Sequence, residues 1–120
     1  MNTISEENAK NIAKQSGRDP IKVIVQTRTL EQILDEHLPA GQRIDFLTVD
    51  VENNNLSVLK SNNWEKYKPL IVLVEVDNDC LTLEAISNSE MVAFMKKFQY
   101  QIVAWIKPTL IFKMQAPDGL

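Results

Sequence analysis

The chain has 120 residues, 44% hydrophobic and 24% charged, the balance of an ordinary globular domain rather than a disordered or fibrous one. Thirteen Lys and Arg against sixteen Asp and Glu give a net charge of −3, and with no basic block neither nucleic acid nor an anionic membrane is expected as a partner. A single cysteine, Cys80, excludes an internal disulfide framework, no apolar run approaches the roughly 18 residues that cross a bilayer, and the acidic, polar stretch Met1–Glu7 is unlike a secretory signal, so a cytoplasmic protein is expected.

Residues 1–20 form a polar segment in which Ser5 is suited to cap a helix over Glu6–Gln15, ending near Gly17. No chemistry is placed on it. Ile21–Gln26 is short and β-branched, which predicts a strand. Thr29, with Gln32 three residues on, makes a capping box that opens a helix with Leu30, Ile33, Leu34 and Leu38 on one face. His37, the single histidine, falls in the last turn of that helix, where the helix C-terminus accounts for it without catalysis. Pro39 and Gly41 stop the helix.

Ile44–Val51 is a mostly apolar strand. Asp50 and Glu52 lie at its carboxyl end and share a face while extended geometry lasts. Leu56, Val58 and Leu59 predict a helix that frays around Ser61–Asn63. Trp64 and Tyr67, in a short turn before Pro69, suit either a pocket wall or a loop pinned to the core. Leu70–Val74 is apolar at every position, as expected of a central parallel strand covered on both faces. It closes on Glu75, Asp77 and Asp79, which suit a pocket, a hard-metal site or a solvated acidic loop. Cys80 has no neighbouring cation or base and reads as an ordinary thiol.

Ser87 with Glu90 predicts a second capping box, and Met91, Phe94, Met95 and Phe98 follow at helical spacing. Strands near Tyr100–Ile106 and Thr109–Met114 are separated only by Lys107-Pro108, which forces a tight antiparallel return. Strands alternating with amphipathic helices predict an α/β fold, a mainly parallel sheet ending in an antiparallel hairpin. In such sheets chemistry gathers at the carboxyl ends of the strands. The three glycines, Gly17, Gly41 and Gly119, are too widely spaced for any glycine-rich phosphate loop.

The run Ile44–Glu52, then Leu56-Ser57-Val58-Leu59-Lys60, then Pro69 to Glu75, resembles the C-terminal half of FkbM-family methyltransferases. That family carries I-D-F-L-x-x-D-x-E-G, then L-x-V-L-K, then a proline and an apolar strand ending in Glu. Thr27–Leu34 resembles the segment leading into this pattern and Tyr100–Lys113 the closing strands, so the likeness covers about residues 21 to 114. It implies S-adenosylmethionine-dependent methyl transfer to a hydroxyl of a sugar or small molecule. The implied fold is part of a Rossmann-like, class I methyltransferase sandwich of three layers, with strand order 3-2-1-4-5-7-6. By motif, Asp45–Val51 is its fourth strand, Leu70–Val74 its fifth, and the hairpin its sixth and seventh.

The resemblance makes Asp50 and Glu52 catalytic candidates that position or deprotonate the acceptor hydroxyl. Glu75, Asn53 and Trp64 become candidates for substrate binding, and no metal is assigned. Asn53 stands where the family has a glycine, and asparagine tolerates left-handed backbone better than other residues with a side chain. Capping of the next helix is the other reading of Asp50 and Glu52. The family's first-strand glycine loop and ribose-binding acid have no counterpart in these residues. The expectation is therefore a polar segment 1–20, a C-terminal half-domain 21–116 and a tail 117–120, inactive alone. Its fourth strand would form an open edge for a homodimer or for the absent N-terminal half. A non-catalytic half-domain, or one part of a split methyltransferase, is the alternative.

Overall fold

The computed structural model describes residues 19–76 and 82–115. The helix expected over Glu6–Gln15, the acids Asp77 and Asp79, Cys80 and the tail 117–120 lie outside the described residues. Within them run α1 (Leu30–His37), β1 (Phe46–Val49), α2 (Asn55–Lys60), β2 (Ile71–Glu75), α3 (Leu83–Ser87), α4 (Glu90–Lys97), β3 (Tyr100–Ile106) and β4 (Thr109–Met114).

The strands form one sheet in the order β1-β2-β4-β3. β1 runs parallel to β2, while β2–β4 and β3–β4 are antiparallel. The described sheet is thus not mainly parallel. Ile21–Gln26, expected as a strand, forms no regular element, and Ile21 and Ile24 are 90% and 101% exposed. β-propensity expresses itself through lateral pairing and burial, and this segment has neither.

Register divides the sheet into two unlike faces. Leu47, Val49, Val72, Val74, Leu110 and Phe112 are neighbours on one of them. This face packs on Leu59 of α2, Ile86 of α3, and Val92 and Met95 of α4. Phe46, Thr48, Ile71, Leu73, Thr109 and Ile111 lie on the other. None of them joins the buried cluster, and Phe46 is 66% exposed. The all-apolar β2, expected to be covered on both sides, instead alternates between buried and half-buried positions.

Helix ends follow local chemistry. Thr29 and Gln32 make the expected capping box on α1. Ser87, expected to open α4, instead ends α3, and the N-cap of α4 is Ser89, whose hydroxyl accepts from the Val92 N–H. The apolar stripe of α1 contributes no buried residue. That helix is held by polar contacts: the Leu30 N–H donates to Ser61 Oγ at 2.9 Å, and Asp35 Oδ1 accepts from Lys66 Nζ at 2.6 Å and Tyr67 Oη at 2.5 Å. These two donors hold the Asp35 carboxyl below the usual carboxylate range, Lys66 contributing most.

Trp64 anchors the turn before Pro69. Its indole Nε1 donates to the Leu59 carbonyl at 2.7 Å, and its ring packs against Phe94, Phe98 and Tyr100. Tyr100 Oη donates to the Pro69 carbonyl at 2.5 Å, and burial pushes its phenol well above the ordinary tyrosine range. No helix among the described residues is long and apolar enough to cross a membrane.

Candidate functional site

β1 and β2 run in the same direction, so their carboxyl ends emerge side by side. There Thr48, Val49, Asp50, Leu73, Glu75 and Thr109 line an open depression of about 230 Å³. Thr48, Leu73, Glu75 and Thr109 belong to the uncovered face by register, so the depression opens on the side that no described helix covers. Two of the acids picked out from the sequence, Asp50 and Glu75, are brought together in this way, although they are 25 positions apart in the chain.

Glu52 is not among the lining residues. Regular strand geometry stops at Val49, and the chain turns at Glu52 and Asn53, whose φ angles are +34° and +60°. The alternation that would have carried Glu52 onto the face of Asp50 is broken two residues early. Asn53 does adopt the left-handed conformation, as its replacement of a family glycine leads one to expect. Neither Asp50 nor Glu52 caps α2: the N-cap is Asn54, which makes no side-chain cap bond. Trp64, the remaining substrate-binding candidate, is only 2% exposed and belongs to the core on the covered side.

The sequence reading passed over Asn55. This first residue of α2 is 6% exposed. Its Oδ1 accepts from the Val51 N–H at 2.8 Å, and its Nδ2 donates to the Glu75 carbonyl at 2.6 Å. One side chain therefore joins the ends of β1 and β2 and sets the spacing of the backbones that carry Asp50 and Glu75. A buried amide with both groups satisfied contributes stability, and losing it leaves two backbone groups unpaired. The signal in the sequence was the asparagine run 53–55 directly after a strand.

The described residues do not by themselves make a site for a nucleotide-sized cofactor. The depression is open and smaller than the about 300–1,000 Å³ of typical ligand pockets. The three glycines, Gly17, Gly41 and Gly119, are too widely spaced in the sequence to form a glycine-rich loop. No group of three His, Cys, Asp or Glu side chains among the described residues is arranged to hold a metal ion. Those residues can supply carboxylates and a threonine hydroxyl to a small polar molecule lying across the strand ends.

An α/β chain with acids at the carboxyl ends of adjacent parallel strands belongs to the broad class whose ligands bind beyond those ends. The methyltransferase FkbM domain matches residues 1–102, and the chain belongs to that family. The match includes the Asp50-to-Lys60 motif and β2, and ends within β3. No curated protein and no solved structure matches the chain.

Proposed function

We propose that these residues form the acceptor side of a cytoplasmic, S-adenosylmethionine-dependent O-methyltransferase of FkbM type, acting on a hydroxyl of a sugar or small molecule. The observation that carries the reading is the meeting of Asp50 and Glu75 at one depression in a chain of this family. The order β1-β2-β4-β3 supports it further, since it corresponds to strands 4-5-7-6 of a Rossmann-like sheet. In that frame the uncovered face is where the third layer belongs. Family membership implies S-adenosylmethionine as methyl donor, yet the described residues supply no pocket for it.

The part these residues play is to hold the acceptor. A hydroxyl placed in the depression donates its hydrogen bond to the Asp50 carboxylate, which aligns the oxygen and takes up the proton it loses. Glu75 and Thr109 orient the rest of the molecule through hydrogen bonds. Alignment of the two reacting groups contributes more to such a displacement than the strength of a base. Asn53 and Glu52 shape the turn that delivers Asp50. The 120 residues alone are expected to turn over negligibly, because the described residues offer the donor one wall.

A second reading, a non-catalytic half-domain or one part of a split methyltransferase, is favoured by the outer edge of β1, which pairs with no described strand. Two measurements separate these readings. Calorimetric titration of the chain with S-adenosylmethionine is expected to give no heat of binding, and a micromolar complex would overturn the one-walled site. Supplying the glycine-loop half of an FkbM domain and following labelled methyl transfer to hydroxylated acceptors is expected to give turnover. Asp50→Asn should then lower kcat by about 10²-fold or more. Turnover unaffected by Asp50→Asn would remove this residue from the reaction.

A further inference from the structure

The register of β1 with β2 ends at Val49 and Val74, one position short of Asp50 and Glu75. Beyond that rung the amide of Asn55 takes over the bridging. Its Oδ1 accepts from the Val51 N–H at 2.8 Å, and its Nδ2 donates to the Glu75 carbonyl at 2.6 Å. Each bonded group belongs to the peptide unit that directly follows an acid, Asp50–Val51 in one strand and Glu75–Val76 in the other. The row continues into β4. The Val76 N–H, on the second of these units, donates at 2.9 Å to the Pro108 carbonyl, and that carbonyl leads into Thr109. One side chain thus completes a hydrogen-bonded line through the peptide units of Asp50, Glu75 and Thr109, all three of which line the depression.

We infer that Asn55 is a positioning residue of the acceptor site and acts through Asp50; the assignment rests on the proposed acceptor role of the depression. A peptide unit is planar, so a bond that fixes the Val51 N–H also fixes ψ of Asp50. With ψ goes the direction in which the carboxylate leaves the backbone. The strand ends at Val49 and the chain turns away at Glu52 and Asn53, which leaves the bond to Asn55 to hold this peptide unit. At 6% exposure the amide is shielded from water that would compete for its partners. Asn55 does not itself line the depression, so it reaches an acceptor only by way of the groups it holds. In a displacement governed by alignment, a misplacement of about 1 Å costs up to about 10²-fold in rate.

Two measurements test this. In the 120-residue chain, hydrogen exchange should find the Val51 amide protected and Asn55→Ala should release it, while β2 and β4 keep their protection. Asn55→Ser, whose hydroxyl is too short to span both strand ends, takes its place if Asn55→Ala does not fold. A wild-type Val51 amide that exchanges as a free one overturns the inference. The second measurement supplies the glycine-loop half of an FkbM domain and follows labelled methyl transfer to a panel of methyl glycosides. The same variants should lower kcat by about tenfold or more, with KM for S-adenosylmethionine unchanged. In an Asp50→Asn background they should cost under about twofold, because a residue that acts through Asp50 then has nothing to act on. Equal losses in both backgrounds, or an unchanged kcat in a variant that has lost stability, would assign Asn55 to the fold alone and overturn the inference. Absence of turnover in the wild-type pair is a different failure: it removes the acceptor reading before any variant is compared, and the inference with it.

Discussion

The two faces of the sheet are built from the same strands, one residue out of step, and they have different fates. On the covered face Val72, Val74, Leu110 and Phe112 are fully buried against α2 to α4. On the open face Phe46 remains largely in water, and Ile71, Leu73 and Ile111 are half-buried. Both faces are apolar, so composition does not decide which is covered; the positions of the crossover helices do. A sheet of this kind holds its fold with one face and keeps the other for whatever completes it.

The largest expected effect tests that division directly. Phe112→Ala should destabilise by about 3–5 kcal/mol in urea unfolding, the cost of a cavity in a closed core. Phe46→Ala, an equal change on the open face, should cost under about 1 kcal/mol. Comparable losses would mean that the open face is covered in solution.

Asn55→Ala is next, at about 1–3 kcal/mol, since the Val51 N–H and the Glu75 carbonyl lose their partner. Asn55→Asp should recover only the bond to Val51, because a carboxylate cannot donate to Glu75.

The smallest effect is a pH dependence at α1. Asp35 is exposed, and its carboxyl is held below its ordinary value of 3.8 by Lys66 first and Tyr67 second. Its contribution is therefore complete above that value and is lost as the pH falls through it toward the lower folded-state value. Asp35→Asn should flatten that part of the stability profile measured by thermal unfolding. A profile unchanged by the substitution would show that solvent screens the cluster.

Local patterns in the chain were read well. The capping box at Thr29, the hairpin on either side of Lys107-Pro108, and the left-handed Asn53 are dictated by neighbours within a few residues, and the structure carries all three. The errors came wherever a distant partner decides the outcome. Ile21–Gln26 has strand chemistry but pairs with no described strand, and Leu70–Val74 is apolar throughout although the described helices cover only one side. Ser87 and Ser89 are chemically equal caps, and α3, running up to Ser87, decided between them. In the site, Asp50 and Glu75 were legible as acids at strand ends. Glu52 was misplaced because the strand ends at Val49 and the chain turns at Glu52 itself, and Trp64 went to the core, where its aromatic neighbours are. Asn55 stayed invisible because its role lies in a bond to a residue 20 positions away.

The amide of Asn55 grips main-chain atoms only. The frame beneath the depression is thus indifferent to the side chains at positions 50 and 75, and a substitution at either leaves the strand ends in place. A methyltransferase site gains from such a separation, because the groups at its rim can change without disturbing the rivet that holds it.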